Sequence, residues 1–269
     1  MPDPSLRRSP LEPHTLAAAA GPSWQVRLLA EAPSTNAVAA AEPRPGLVVV
    51  ADHQTAGRGR LDRDWQTPAG VALTFSVVVE PGLPDEHWPL LPLAVGVAVA
   101  EGVRRSAGVP VGLKWPNDVL VEGGPRPGKV AGILLERVTG GATSSATFPG
   151  ALAVLGVGLN VDQAAQELPV PTATSLRLAG GPVDRSALFG AVLTALGEVL
   201  AQLRTDRSAV LTAYRQRCTT LGAEVEVHLP DGTLLSGVAE DIDEHGRVVV
   251  AGRAVGAGDV VHLRPRRMA

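Results

Sequence analysis

A single cysteine, Cys218, stands in a chain of 269 residues, so no intrachain disulfide can brace the fold. That scarcity fits a reducing compartment, and the expected location is cytoplasmic. No apolar run reaches the length of a transmembrane helix. Arg7-Arg8 is followed by Ser-Pro-Leu-Glu-Pro-His, with no apolar core, so an export signal is not expected. The chain also lacks an excess of positive charge. Its net charge of −3 argues against a general nucleic-acid-binding role and leaves positive charge to act locally. Chemical signatures are missing too. Gly128-Lys129 has no G-x-x-x-x-G-K-[ST] frame, and there is no G-x-S-x-G, no CxxC pair and no H-E-x-x-H. P-loop chemistry, elbow hydrolases and the usual zinc sites therefore receive no support. No internal repeat is present.

The length leaves room for one large domain and one small one, and the apolar fraction with scattered Gly and Pro suits a compact α/β chain. The most informative stretch is ADHQTAGRGRLDRDW, residues 51–65. A buried-strand run, Leu47-Val48-Val49-Val50, leads into it. Gly57 and Gly59 alternate with Arg58 and Arg60, then Arg63 and Trp65 follow. Glycine lets backbone approach a ligand closely, and arginine offers a planar fork of donors to carboxylate or phosphate. The alternative, a solvated basic turn, suits an isolated GxGxx string. Here two glycines, three arginines and a tryptophan fall within nine residues, which favours an anion-binding loop.

In chain order, residues 1–22 read as a loosely held Pro- and Ala-rich arm. Trp24–Leu29 resembles a strand. Ser34-Thr35-Asn36 opens a short helix near 37–42, either as a plain N-cap or as a source of polar groups for a ligand. Residues 71–79 form a strand, and 87–105 a helix with Pro89 and Pro92 in its first turns. His87 reads as structural. Lys114-Trp115-Pro116-Asn117-Asp118 sits in a strand–turn–strand unit, where Asp118 is equally a turn former or a ligand group. Lys129, beside Gly128 and Gly132 at a strand entrance, points to a cleft. A further strand, 151–161, ends in Gly156, Gly158 and Asn160. Helices are expected over 184–203 and from Asp206 to about Cys218. Beyond Leu221-Gly222 the texture becomes short alternating runs cut by turn residues, the pattern of a small β-barrel. Residues 225–263 hold no aromatic residue and several acids, which excludes a nucleic-acid module there.

Five strings in this order resemble the biotin–protein ligase family: Ser34-Thr35-Asn36, Gln54 through Trp65, Lys114 through Asp118, Gly128 through Leu134, and Gly156 through Asn160. The resemblance runs from about Trp24 to Leu263 and is nearest to bacterial members without a DNA-binding head. It implies an α+β fold, with a mixed-sheet catalytic domain over 23–221 and an SH3-like C-terminal barrel over 222–269. It implies an ATP-dependent ligase that makes biotinyl-5'-AMP, then transfers biotin to a lysine of a biotin carboxyl carrier protein domain, with Mg2+ accompanying ATP. By the same resemblance, biotin would meet Ser34, Thr35, Asn36, Gln54, Gly57, Arg58, Gly59, Arg60, Trp115, Lys129 and Gly132. Nucleotide would meet Arg63, Trp65, Lys114, Asn117 and Asn160, and Asp118 would serve the metal. Lys129, Arg58 and Arg60 would be the catalytic cations, and neither nucleic acid nor membrane is an expected partner. Asp62 and Asp64 depart from the family pattern by placing carboxylates inside the arginine loop. A lipoate or octanoate ligase of the same superfamily is the rival reading, disfavoured by the arginine-loop string. A cysteine-dependent transferase is disfavoured because Cys218 lies far from every motif. A biotin-responsive repressor needs a helix-turn-helix head, for which the Pro-rich residues before Trp24 give no pattern.

Overall fold

The computed structural model describes residues 8–138, 151–256 and 258–262, apart from the side chain of Asp62. A seven-stranded sheet forms the frame: β1 (Gln25–Ala32), β2 (Leu47–Gln54), β3 (Ala72–Val79), β4 (Val111–Lys114), β5 (Asp118–Val121), β6 (Gly128–Val138) and β7 (Leu152–Asn160). Their spatial order is β1-β2-β3-β7-β6-β5-β4. Only β1 and β2 are parallel; every other neighbouring pair is antiparallel, so the sheet is mixed.

Period-two alternation divides the sheet into two faces. Val48, Val50, Leu73, Phe75, Val77, Leu155, Val157 and Leu159 join the main core. Helices α3 (Leu90–Ala107) and α4 (Arg185–Thr205) cover that face, α5 (Arg207–Arg215) packs on both of them, and Phe189 of α4 meets Phe75 edge-on. On the opposite face, Leu47, Val49, Val78, Leu152 and Val154 form a smaller core with Ala39 of α2 (Thr35–Ala41). Beyond that patch the same face carries Thr74, Ser76, Gly156, Gly158 and Asn160. Small and polar residues replace bulky ones there, and a cleft opens.

Two expectations are corrected. Residues 13–20 are not part of a loose arm: α1 (Pro13–Ala20) packs on α4, with Leu16 and Ala20 buried and Gly190 leaving room for Ala19. Arg8 ties this segment to Glu167 and Asp162, and Arg185 donates to the Ser9 carbonyl. Residues 1–7 lie outside the described residues. Likewise, the expectation that no stretch approaches membrane-spanning length fails for α4. It has 21 residues, and an 18-residue window of mean hydropathy 1.6 is half buried. Leu188, Phe189, Val192, Leu193 and Leu196 explain the apolarity, because all belong to the core.

After α5 the chain forms a second sheet from β8 (Glu224–His228), β9 (Leu234–Ile242), β10 (Val248–Val250), β11 (Arg253–Val255) and β12 (Asp259–His262). Its hydrogen-bonded order is β11-β10-β9-β8-β12, and every pair is antiparallel. This is a small open ladder among the described residues. It docks on the frame: the Trp115 indole N–H donates to the Gly246 carbonyl at 2.9 Å, and His87 stacks on His245 with centroids 5.5 Å apart.

Candidate functional site

A cleft of about 730 Å3 lies over the glycine-rich face of the sheet. It brings together Ser34, Thr35, Asn36, Gln54, Arg58, Gly59, Arg60, Arg63, Trp65, Lys114, Asn117, Asp118, Lys129, Gly132 and Asn160 from five separate stretches of chain. Two of the expected residues fall outside the lining. Trp115 is buried in the core, its indole N–H spent on Gly246 and its backbone N–H on Thr220 Oγ1. Gly57 lies beneath the arginine loop, where a Cβ would collide with the Trp65 carbonyl. Both shape the site from behind.

One end of the cleft is neutral and polar. The Ser34 side chain makes no capping bond to α2. Gln54 Oε1 instead accepts from the Thr35 backbone N–H at 2.8 Å. Thr35 Oγ1 lies 3.1 Å from Gln54 Oε1 and 2.7 Å from Ser76 Oγ. Ser76 Oγ donates to Asn36 Oδ1 at 2.5 Å, and Asn36 Nδ2 is buried without a partner among the described residues. Ser76 went unrecognised in the sequence because it sits inside the apolar strand run VALTFSVVV. Its only signal there is position, since Thr74 and Ser76 alternate with Leu73, Phe75 and Val77.

The other end is cationic. Residues 57–65 fold back on themselves, with Trp65 N–H donating to the Gly57 carbonyl at 2.8 Å and Gly59 N–H to the Arg63 carbonyl at 2.6 Å. At the tip, Leu61 has φ 55°, a left-handed conformation uncommon outside glycine, and is 60% exposed. Arg58 pairs with Glu136 at 3.0 Å, and Arg63 pairs with Asp259 of β12. The arginines' carboxylate partners thus come from β6 and the second sheet. Asp64 instead contacts Gln66, and the side chain of Asp62 lies outside the described residues. Arg60 is half-buried and, among the described side chains, reaches Asn117 Oδ1 at 3.4 Å. Burial pushes its guanidinium pKa down, against the opposing pull of Asp118 and Asp259.

Lys129 reaches the cleft through a bulge. The β5–β6 register shifts between Val119 and Leu120, and Val130 and Ala131 both enter the core. A bulge of this kind re-aims side chains. Lys129 and Gly132, three residues apart, consequently share the cleft face: a Cβ on Gly132 would lie 3.3 Å from Lys129 Nζ. Nζ is 2.6 Å from Asp118 Oδ1 and 5.6 Å from the centroid of the Trp65 ring. The indole lies over Gly158, where a Cβ would overlap it. Asn160 is engaged otherwise than expected. Its Nδ2 donates to the Thr174 carbonyl at 3.0 Å, and its Oδ1 accepts from Gln163 at 2.9 Å. The segment it holds pairs with the Lys129 backbone, through Lys129 N–H to Thr172 O and Thr174 N–H to Lys129 O.

The second sheet also reaches the cleft, a contribution that its sequence pattern did not announce. Asp259, Val260, Val261 and His262 join the lining. His262 Nε2 is 3.1 Å from Thr220 Oγ1, and burial followed by the charge of Lys114 lowers its pKa. Cys218 lies outside the lining, and burial raises its thiol pKa, so it has neither the position nor the ionisation of a nucleophile. No group of three or more His, Cys, Asp or Glu suited to a metal occurs among the described residues.

Known proteins resemble this chain in sequence and fold. Residues 30–150 match the Biotin/lipoate A/B protein ligase family, and residues 220–263 match the Biotin protein ligase C terminal domain. The chain is 39% identical to a biotin–[acetyl-CoA-carboxylase] ligase of Mycobacterium tuberculosis over 98% of its own length and 100% of the relative's. It is 31% identical to the bifunctional ligase/repressor BirA of Bacillus subtilis, covering 75% of this chain and 60% of that one. The structure of a biotin protein ligase from Aquifex aeolicus in complex with biotin and ATP superposes with a TM-score of 0.73 at 27% identity, over 89% of this chain and 98% of that one. Fold and whole-length similarity agree: the chain belongs to the biotin protein ligase family.

Proposed function

We propose that this protein is an ATP-dependent ligase that activates biotin as biotinyl-5'-AMP and transfers it to a lysine of a biotin carboxyl carrier protein, working in the cytoplasm. The observation that carries this reading is the division of one cleft into a neutral amide-and-hydroxyl end and a cationic end. Thr35, Asn36 and Gln54 offer donors and acceptors suited to a urea, which both donates and accepts. The dithiolane of lipoate could use none of them, which disfavours the lipoate reading. Arg58, Arg60, Arg63, Lys114 and Lys129 face the region where a carboxylate and a triphosphate must meet. Fixed cations there offset the repulsion between two anions and are already oriented when charge develops.

In the first half-reaction a biotin carboxylate oxygen attacks the α-phosphorus of ATP, the α–β phosphoanhydride bond breaks, and pyrophosphate leaves with its electron pair. Lys129, on the cleft floor beside Gly132, neutralises charge where carboxylate and phosphorus join. Arg60, half-desolvated and without a carboxylate at contact distance among the described side chains, gains most from an arriving anion. In the second half-reaction the carrier's lysine amine attacks the acyl carbon, AMP leaves, and the amine loses a proton. Trp65, lying flat over Gly158, offers a face on which adenine stacks. A magnesium ion would neutralise triphosphate charge, and Asp118, now paired with Lys129, would be its protein ligand. With no three-ligand cluster, water and phosphate oxygens would supply its remaining ligands.

The direct test is incubation with ATP, Mg2+ and either biotin or lipoate, followed by mass spectrometry of the acyl-adenylate and of an added carrier domain. Biotinyl-5'-AMP and a biotinylated carrier are expected. A lipoyl-adenylate in place of the biotinyl one would overturn the assignment.

A further inference from the structure

The N-terminal segment and the cleft meet through Arg8. One residue further on, the Ser9 carbonyl is held by the buried Arg185, and Leu11 enters the main core, so Arg8 extends from fixed backbone. Its guanidinium donates to Glu167 Oε2 at 2.6 Å, and its Nε lies 3.4 Å from Asp162 Oδ2. All three side chains are largely buried. Asp162 has a second partner in Arg177, whose backbone N–H donates to the Val161 carbonyl at 2.9 Å. The chain from 162 to 177 is therefore a loop closed at its base. Glu167 ends a short 3-10 turn, Ala165–Glu167, and its Oε2 also accepts from the Ala164 N–H at 2.9 Å.

This loop carries one wall of the cleft. Pro169, Val170, Thr172 and Ala173 belong to the lining, and Val170 is 49% exposed. Beyond Val170 the wall is fixed by the backbone pairing of Lys129 with Thr172 and Thr174. Before Pro169 it is fixed by Glu167 on Arg8. Asn160, which holds the Thr174 carbonyl, follows Gly158 by two residues on β7, and Trp65 lies over Gly158. Asn36 stands over Gly156, two residues the other way. The wall thus borders the Trp65 end of the cleft.

We propose that Arg8 is a positioning residue for nucleotide binding: through Glu167 it holds the wall at the Trp65 end, so the N-terminal segment sets affinity for ATP and not for biotin. The inference rests on the reading that places adenine on Trp65. A charge-assisted bond to a fixed arginine keeps the wall in place before any ligand arrives. Without it, the nucleotide must order the segment as it binds, and affinity falls by that cost. Lys129 keeps its own backbone anchors, so the chemical step is left alone.

The test measures pyrophosphate release, with carrier domain present for turnover, as a function of ATP and of biotin. It compares wild type, Arg8→Met, Arg8→Lys, Glu167→Gln and the Arg8→Met/Glu167→Gln double variant. Arg8→Met is expected to raise the KM for ATP about tenfold, the scale of one hydrogen bond to a charged group, with kcat and the KM for biotin unchanged. Amide exchange in the ligand-free protein should quicken over residues 163–171 and stay as in wild type over 128–133. Arg8→Lys, charged but without the planar fork, should fall between. Glu167→Gln gives up the charge and keeps an oxygen for Ala164. It should raise the same KM, serves if Arg8→Met fails to fold, and should add little in the double variant, as expected of two partners in one contact. An unchanged KM for ATP overturns the proposal. So does a loss shared by both substrates and kcat, which would make Arg8 a residue of the fold alone. Wild-type protein that releases no pyrophosphate would instead remove the nucleotide reading, and this inference with it.

Discussion

Replacing Lys129 by methionine keeps the length of the side chain and removes its charge. In the structure Nζ bonds Asp118 at 2.6 Å, with about a third of the lysine side chain and a fifth of the aspartate exposed. An ion pair that wet contributes no more than about 1 kcal/mol to stability, so the variant should fold and melt within a few degrees of wild type. The bulge that aims residue 129 at the cleft is anchored by backbone bonds to Thr172 and Thr174, which the substitution leaves intact. The loss therefore falls on chemistry. Removing one preorganised group from a developing charge costs about 2.7–4 kcal/mol, or roughly 10²–10³ in rate. Biotin-dependent pyrophosphate release, with circular dichroism as a fold control, measures it. Near-normal release from a folded variant would mean that the charge near the reacting atoms comes from the arginines and that Lys129 only pairs Asp118.

Arg60→Gly should still form the adenylate but let it escape sooner, seen as a faster off-rate and as biotin on unrelated lysines; an unchanged off-rate would show that the loop does not retain the intermediate. Asp259→Ala removes the partner of Arg63 on an exposed pair, so amide exchange across residues 57–65 should quicken in the ligand-free protein while the melting temperature barely moves. Arg185→Met breaks a buried pair with Asp52 (2.6 Å) and frees the Ser9 carbonyl, which should cost about 3 kcal/mol in urea unfolding and raise proteolysis near α1. His262 has a folded pKa below its unfolded value, so the unfolded chain binds more protons and stability falls as pH drops below about 6.5. His262→Gln should lose less stability between about pH 7 and 5 than wild type, and parallel profiles would contradict the assignment.

The strands and the cleft were legible in the sequence because their constraints are local. β3 reads as a strand from VALTFSVVV, and the glycines of β7 mark a floor cleared for other groups. Lys129 was legible from its glycine neighbours, but the bulge that aims it was not, since G-K-V-A-G carries no clean alternation. Trp115 was misplaced because its motif neighbours line the cleft, and only tertiary packing sends a large indole inward. The partners of Arg58 and Arg63 lie 78 and 196 residues away, and such pairings leave no trace in local pattern. The N-terminal helix escaped notice because alanine-rich segments with no side-chain cap draw their order from the surface they dock on, here α4.

The Trp115–Gly246 bond has a consequence for synthesis. The turn that holds Asn117 and Asp118 is pinned by a carbonyl 131 residues further along the chain, and Arg63 waits for a carboxylate on the last described strand. During translation, which proceeds at about 5–20 residues per second, the first sheet emerges and pairs well before these supports exist. The unfinished chain therefore holds its arginines without Asp259 and its motif turn without Gly246. Emergence of the second sheet, rather than arrival of the catalytic motifs, sets the moment at which the cleft takes its final shape, and a product ended before Gly246 would lack both supports.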